Sequence, residues 1–343
     1  MNRLSDRKIV GKTLWLLAAW LLAALVSLNI GSVSISASEM LRIFENHGET
    51  QLAAILFSVR LPRVLMGSLV GAALASAGAA FQSLLRNPLA DPYVLGVSTG
   101  ASLGTILYSI FVTTSRAPDS GGSFLYGRPL AAFLGAACTI AAVYVIGGNP
   151  RAGETSQRLL LAGIVFASFL SSINVFLLTS TNQADLRGIF YWLIGDLSRP
   201  VDASIYVVAV AVFAGFALLY ACSHGLNLIA TGEEDALILG VSVPRVKAGV
   251  YAVASLVTGA VVSVSGPVAY IGLICPHIAR MMFGSDNRIL FPTVFVFGAI
   301  FTLLADTLAR TVLSPVELPV GVITALCGAP LFIYLLHRRR SGA

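Results

Sequence analysis

Few residues in this chain are placed to make or break a covalent bond. Gly11-Lys12-Thr13 ends like a phosphate-binding loop, but Asp6 stands where the pattern needs its first glycine. An apolar run follows where a soluble helix should, so no nucleotide site is expected. Cys138, Cys222, Cys275 and Cys327 show no C-x-x-C spacing and read as structural thiols. His47, His224, His277 and His337 are isolated, so no metal constellation is visible. The chain has no H-E-x-x-H pair and no G-x-S-x-G elbow. No catalytic residue, cofactor or bound metal is expected, which leaves an intramembrane enzyme without support. One acid, Asp306, lies within an apolar run. Intramembrane acids are costly and often functional, so Asp306 is the residue a proton-coupled secondary transporter would use. Arg310 lies one helical turn beyond it and can pair with it.

A second group of residues suggests contact with a partner. Between Cys222 and Lys247 the chain reads His-Gly-Leu-Asn-Leu-Ile-Ala-Thr-Gly-Glu-Glu-Asp-Ala-Leu-Ile-Leu-Gly from His224 to Gly240. Thr231 can cap a short helix, with Glu233, Glu234 and Asp235 in its first turn, where the helix dipole favours acids. Gly240 can end it in a left-handed turn. Ala236, Leu237, Ile238 and Leu239 would then form an apolar surface for a partner, or for the protein's own face, to cover.

Composition says what positions these residues. Of 343 residues 57% are hydrophobic and only 11% charged, against roughly a quarter charged in a soluble domain. Disorder is excluded, because disordered chains are charge-rich and apolar-poor. The apolar stretches are continuous rather than alternating, which argues against a membrane β-barrel. An all-α polytopic membrane protein is expected, with spans at 14–30, 62–82, 93–113, 129–147, 159–180, 202–221, 248–265, 267–283, 290–310 and 318–336. The eighth is the weakest, being short and broken by Pro276. Leu14–Ile30 also resembles a signal core, with Ser34–Ala37 as its cleavage site. It is long for that role, so a retained helix is preferred. The whole of 1–343 reads as a single membrane domain.

Ten spans put both termini on one side. With that side cytoplasmic, 14 of the 22 basic residues lie inside and eight outside, as the positive-inside rule requires. The net charge of +6 then reflects topology rather than nucleic-acid binding. The outer arginines, among them Arg60, Arg63, Arg187 and Arg310, form a minority that calls for a reason. Gly67, Gly71 and Ala75, and then Gly96, Gly100 and Gly104, form small-residue ridges that let backbones approach, within the chain or at a dimer seam. Asn87-Pro88, Asp91-Pro92, Gly266-Pro267 and Pro319-Val320-Gly321 break the helices. Such breaks at membrane depth suit a transport path. Pro62-Arg63-Val64-x-x-Gly67 is echoed by Pro244-Arg245-Val246-x-x-Gly249 in a helix running the opposite way, a weak sign of an inverted repeat.

Several blocks in order carry a family resemblance. They are Arg60-Leu-Pro-Arg63, Gly71-Ala-Ala-Leu74, Gln82, Asn87-Pro88-Leu89-Ala90-Asp91-Pro92, Leu95-Gly96 and Gly100-Ala101, then the loop from Leu226-Asn227 to Gly240. Further along come Gly266-Pro267, Tyr270-Ile271-Gly272-Leu273, Pro276-His277, Arg280, Ala305-Asp306, Arg310, Glu317-Leu318-Pro319-Val320-Gly321 and Gly328-Ala329-Pro330. From about residue 55 to 336 the chain resembles the FecCD permeases, the membrane subunits of ABC importers for iron–siderophore, haem and vitamin B12.

The resemblance implies ten helices, cytoplasmic termini, and a homodimer in the bacterial cytoplasmic (inner) membrane. It also implies separate ABC ATPase subunits below and a periplasmic or lipid-anchored substrate-binding protein above. Thr231, Gly232, Glu233, Glu234, Ala236, Leu237, Leu239 and Gly240 would then couple to the ATPase. Arg60, Arg63 and Arg310 would grip carboxylates of the binding protein. The fifth and tenth helices would line the path, with a cytoplasmic gate at Thr155, Ser156 and Gln157. Arg187, Tyr191 and Trp192 would mark the membrane interface or touch substrate. The substrate would be a metal chelate, with iron–siderophore foremost and vitamin B12 or haem as alternatives.

Overall fold

The computed structural model describes residues 3–31, 39, 43, 51–115, 123–147, 155–179, 183–198 and 204–340. Side chains are placed for 14–31, 39, 43, 51–112, 127–147, 158–179, 188–198 and 204–333 of these. No strand occurs among the described residues. In chain order the helices are α1 (Arg3–Asn29), α2 (Gln51–Leu84), α3 (Val97–Ser115), α4 (Ser123–Gly147), α5 (Thr155–Thr179), α6 (Gln183–Ile194) and α7 (Ser204–Ala221). There follow α8 (Ser223–Thr231), α9 (Glu233–Ile238), α10 (Val243–Ser265), α11 (Ile271–Phe283), α12 (Asn287–Thr311) and α13 (Val320–Arg340). Among the described residues six helices are long and apolar enough to cross a membrane, and four shorter apolar ones complete a match to the ten expected spans. The candidate cleavage site Ser34–Ala37 lies outside the described residues.

Lipid is as apolar as a leucine side chain, so close packing and hydrogen bonds must hold these helices together. α2 is the centre, with 89% of its apolar window buried, whereas α5 and α7 bury 22% and face outward. Small residues put α2 there. A Cβ on Gly71 would overlap the carbonyl of Gly298 in α12, and one on Gly298 would overlap the carbonyl of Gly71. Gly100 and Gly135 of α4 face each other in the same way, and a Cβ on Gly78 would overlap the carbonyl of Gly272 in α11. The ridge at Gly71 and the ridge at Gly100 are therefore spent within the chain, not at a dimer seam.

Four features differ from the sequence expectation. α2 begins at Gln51, eleven residues before Pro62, because a π-helical stretch at Ile55–Arg60 carries the chain into the proline. There the amide of Leu61 reaches back five residues to Leu56. The third span opens with a tight turn, Pro92–Leu95, capped by the Asp91 side chain and closed by Gly96 at φ 81°. α6 is a separate helix beyond the expected fifth span, and it carries Arg187, Tyr191 and Trp192.

The fourth difference is at Pro276, which does not break α11. A proline leaves the carbonyl four residues back without its partner. Here that carbonyl is Gly272, and Gln82 Nε2 of α2 donates to it at 3.4 Å and to Leu273 at 3.2 Å.

α11 has 13 residues, or about 20 Å at 1.5 Å per residue, short of a hydrocarbon core of about 30 Å. The backbone before it, 266–270, therefore sits among other helices. Hydrogen bonds to neighbouring elements hold it there, as lipid requires. Tyr93 Oη accepts from the amide of Val268 at 3.0 Å and donates to its carbonyl at 3.2 Å. The Asp196 amide donates to Ser265 at 2.8 Å, and that of Gly321 to Gly195 at 3.2 Å. Gly195 (φ 92°) and Gly266 (φ 65°) occupy left-handed conformations that side chains resist. The Gly-Pro and Pro-Val-Gly breaks thus build one compact crossing inside the bundle.

Candidate functional site

Two ends of the bundle carry the candidate residues. α2 carries Arg60 and Arg63 toward one end and Leu84 at the other, and α12 runs back from Asn287 to Thr311, with Arg310 in its last turn. One may be named the loop end, since it carries α8 and α9, and the other the arginine end.

At the loop end, residues 222–240 form two helices rather than one. Thr231 does not cap the second helix. It closes the first, donating its hydroxyl to Leu228 at 2.8 Å, and Gly232 takes the cap position with no side-chain bond. Threonine so close behind a helical run continues that run, and glycine supplies the turn. Glu233, Glu234 and Asp235 do occupy the first turn of α9. Gly240 is left-handed as expected, at φ 83°. Ala236 is buried with Ile229 and Val243, so it belongs to the seat of the hairpin and not to its outer surface. Leu237, Ile238 and Leu239 point outward, 55%, 83% and 63% exposed. Glu233 is turned inward, 2.7 Å from Lys247 Nζ and 3.9 Å from Arg86. The result is a short, fastened helix that shows solvent three consecutive large apolar residues.

Nearby acids sit in contrasting surroundings. Asp286 caps α12, and its hydrogen bonds from the Arg288 side chain chiefly hold it down at about 2. Burial pushes the Asp91 carboxyl up to about 6, although it accepts from the Tyr93 amide.

At the arginine end all three candidate arginines are buried, with exposures of 4% for Arg60, 7% for Arg63 and 4% for Arg310. Arg63 grips Asp306 with two nitrogens, Nε at 3.0 Å and Nη2 at 2.9 Å, and reaches Glu317 at 2.7 Å through Nη1. Arg310 Nε lies 3.2 Å from the same Asp306, the one-turn pairing its spacing allows, and its Nη2 donates to Ser27. Arg60 donates to the carbonyls of Leu28 and Asn29 at the end of α1. Asp306 is thus held between two guanidinium groups. In this conformation the arginines lock α1, α2, α12 and the stretch before α13 together.

Between the ends, α5 shows a hydroxyl-rich shelf. Ser168, Ser171 and Ser172 line an open pocket of about 650 Å³ with Thr99, Ala167 and Val175. Ser168 and Ser172 donate to carbonyls of their own helix, which leaves oxygen lone pairs outward. Thr155, Ser156 and Gln157 fall in the first turn of α5, but their side chains lie outside the described residues, as does that of Arg187. Trp192 is 1% exposed, so it is a core residue and not an interface marker or substrate contact. Tyr191 remains at the surface. Among the described residues no group of histidine, cysteine and acid could hold a metal ion.

These features define a multi-pass helical membrane protein of the transport-permease class. The chain belongs to the FecCD transport family, whose match covers residues 18–338. It is similar to the cobalamin import system permease protein BtuC of Halobacterium salinarum, 40% identical over 290 residues, 83% of this chain and 74% of that one. It is 35% identical over 340 residues to the hemin transport system permease protein HmuU of Yersinia pestis, covering 99% and 98%. A solved chain from an inward-facing ABC transporter, assigned to the metal-chelate type, superposes with a TM-score of 0.84 at 29% identity, covering 96% of this chain and 99% of that one.

Proposed function

We propose that this chain is the permease subunit of an ATP-driven importer that carries a metal chelate into the cytoplasm by alternating access. The observation that carries this reading is the fastened helix α9 with Leu237, Ile238 and Leu239 exposed. Three large apolar residues in a row suit a partner's cleft better than water. The loop end then faces the cytoplasm with both termini, in the inner membrane of a bacterium, and the whole chain acts as one permease domain. Thr231, Gly232, Glu233, Glu234, Ala236, Leu237, Leu239 and Gly240 form or support the coupling hairpin. ATP is hydrolysed in that separate ATPase partner, and two copies of this chain enclose the path. Thr155, Ser156 and Gln157 form the cytoplasmic gate.

A substrate-binding protein docks at the arginine end, periplasmic or lipid-anchored. Because the arginines are satisfied internally, an incoming carboxylate reaches Arg63 by displacing Glu317, the more exposed of its two acids. The iron–siderophore class comes first as substrate. A shelf of hydroxyls without aromatic planes suits an oxygen-rich chelate that hydrogen-bonds weakly and moves on. Haem and cobalamin are the alternatives, since relatives are named for each.

The test is capture of the neighbouring ATPase by the native chain and by Leu237→Asp combined with Glu234→Arg. Capture by the native chain and its loss in a folded variant are expected. Equal capture by both would remove α9 from the coupling role.

A further inference from the structure

α8 is tied to the bundle by more than its apolar side. Leu226 and Ile229 are already fully buried, yet Asn227, between them on a nine-residue helix, also spends its whole amide on the neighbouring corner. Its Oδ1 accepts from the backbone amide and from Nδ2 of Asn287, each at 2.9 Å, and its Nδ2 donates to Asp286 at 2.6 Å. Asn287, 2% exposed, uses its own Oδ1 to accept from Ser83 of α2 at 2.8 Å. Ser83 Oγ in turn accepts from Arg280 of α11 at 3.0 Å, and Arg280 also donates to the Ala79 carbonyl of α2 at 3.3 Å. Half a turn past Asn227, the carbonyl of Ile229 accepts from Arg86, just beyond the end of α2. A continuous hydrogen-bonded chain therefore runs from α8 through the α11–α12 corner into α2.

Asparagine is a poor helix former, so its gain here lies elsewhere. Apolar contact is non-directional and lets a helix slide or turn. A satisfied polar network fixes one register. α9 is attached differently, through Glu233 to Lys247 of α10. Glu233 also lies 3.9 Å from Arg86, so both short helices meet that arginine, while the asparagine contacts to the α11–α12 corner belong to α8.

We propose that Asn227 and Asn287 are positioning residues that pin α8 to the α2–α11–α12 corner, so that these elements move as one rigid body when the ATPase binds nucleotide. This rests on the coupling role proposed above.

The experiment uses the complex with its ATPase, carrying spin labels at the exposed His224 of α8 and Met282 of α11. Distances are measured without nucleotide and with ATP trapped by a hydrolysis-deficient ATPase, where retained ATP shows that the cycle has been entered. The native distance should stay the same. In Asn227→Ala and in Asn287→Ala it should shift and broaden on ATP binding. A shift in the native complex, or an unshifted distance in both variants, would overturn the pin. The native arm decides on its own, so a variant that fails to fold does not protect the proposal. A native chain that captures no ATPase would instead overturn the coupling reading and this role with it.

Discussion

Asp306 shows how far single residues can be read and where that stops. Its pairing with Arg310 is legible, because four residues on a helix make one turn. Its stronger bond, to Arg63, joins positions 243 apart and has no local signature. Removing one partner of a buried ion pair is costly, because it strands a charge. Arg63→Ala should therefore destabilise the protein by about 3 kcal/mol, and adding Asp306→Asn should deepen that loss, because it strands the buried Arg310. Thermal unfolding of the purified protein in detergent checks both. Asp91 gives a prediction of opposite character. Its carboxyl stands at about 6 in the fold, against about 3.9 in an unfolded chain. The folded state holds the proton more tightly, so the Asp91 contribution to stability is fully present below about pH 4 and is lost as pH rises through about 6. Asp91→Asn, which keeps an acceptor for the Tyr93 amide, should flatten that decline in melting curves across this range.

At the scale of elements, hydropathy located the ten spans, because continuous apolar runs need no partner to be recognised. It missed what depends on contact. Pro276 reads as a break because the residue that rescues it, Gln82, lies on another helix. α6 begins with Gln-Ala-Asp-Leu-Arg, which looks like a loop, and its Trp192 looks like a belt residue until the crossing at Gly266 buries it. The short helix after Gly232 was legible, but the helix before it, Ser223–Thr231, was not, since Thr231 suits a helix end as well as a helix start. The glycine ridges were legible as ridges, while their partners were not. Gly298→Val should press a branched side chain against the Gly71 carbonyl and cost about 1–3 kcal/mol or more, as overpacking does. Gly249→Val, where a Cβ meets open space, should cost far less in the same unfolding assay.

Across the whole molecule, the two ends hold opposite kinds of surface. The arginine end satisfies its charges internally, joining four segments with ion pairs. The loop end leaves three large apolar residues in solvent on a helix clamped at its first turn. Packed elements shift as units rather than deform continuously, so a push on α9 and α8 is delivered to α10 and to the α2–α11–α12 corner. ATP binding in the proposed separate subunit is then the source of movement. The most direct measurement is uptake into proteoliposomes holding this chain, its neighbouring ATPase and its binding protein. A ferric siderophore, haemin and cyanocobalamin serve as probes, with ATP enclosed on the loop-end side or with a proton gradient alone. Uptake of one chelate is expected that requires ATP, persists when a proton ionophore collapses the gradient, and is lost with Leu237→Asp plus Glu234→Arg. Uptake driven by the proton gradient without ATP, and abolished by Asp306→Asn, would contradict that expectation.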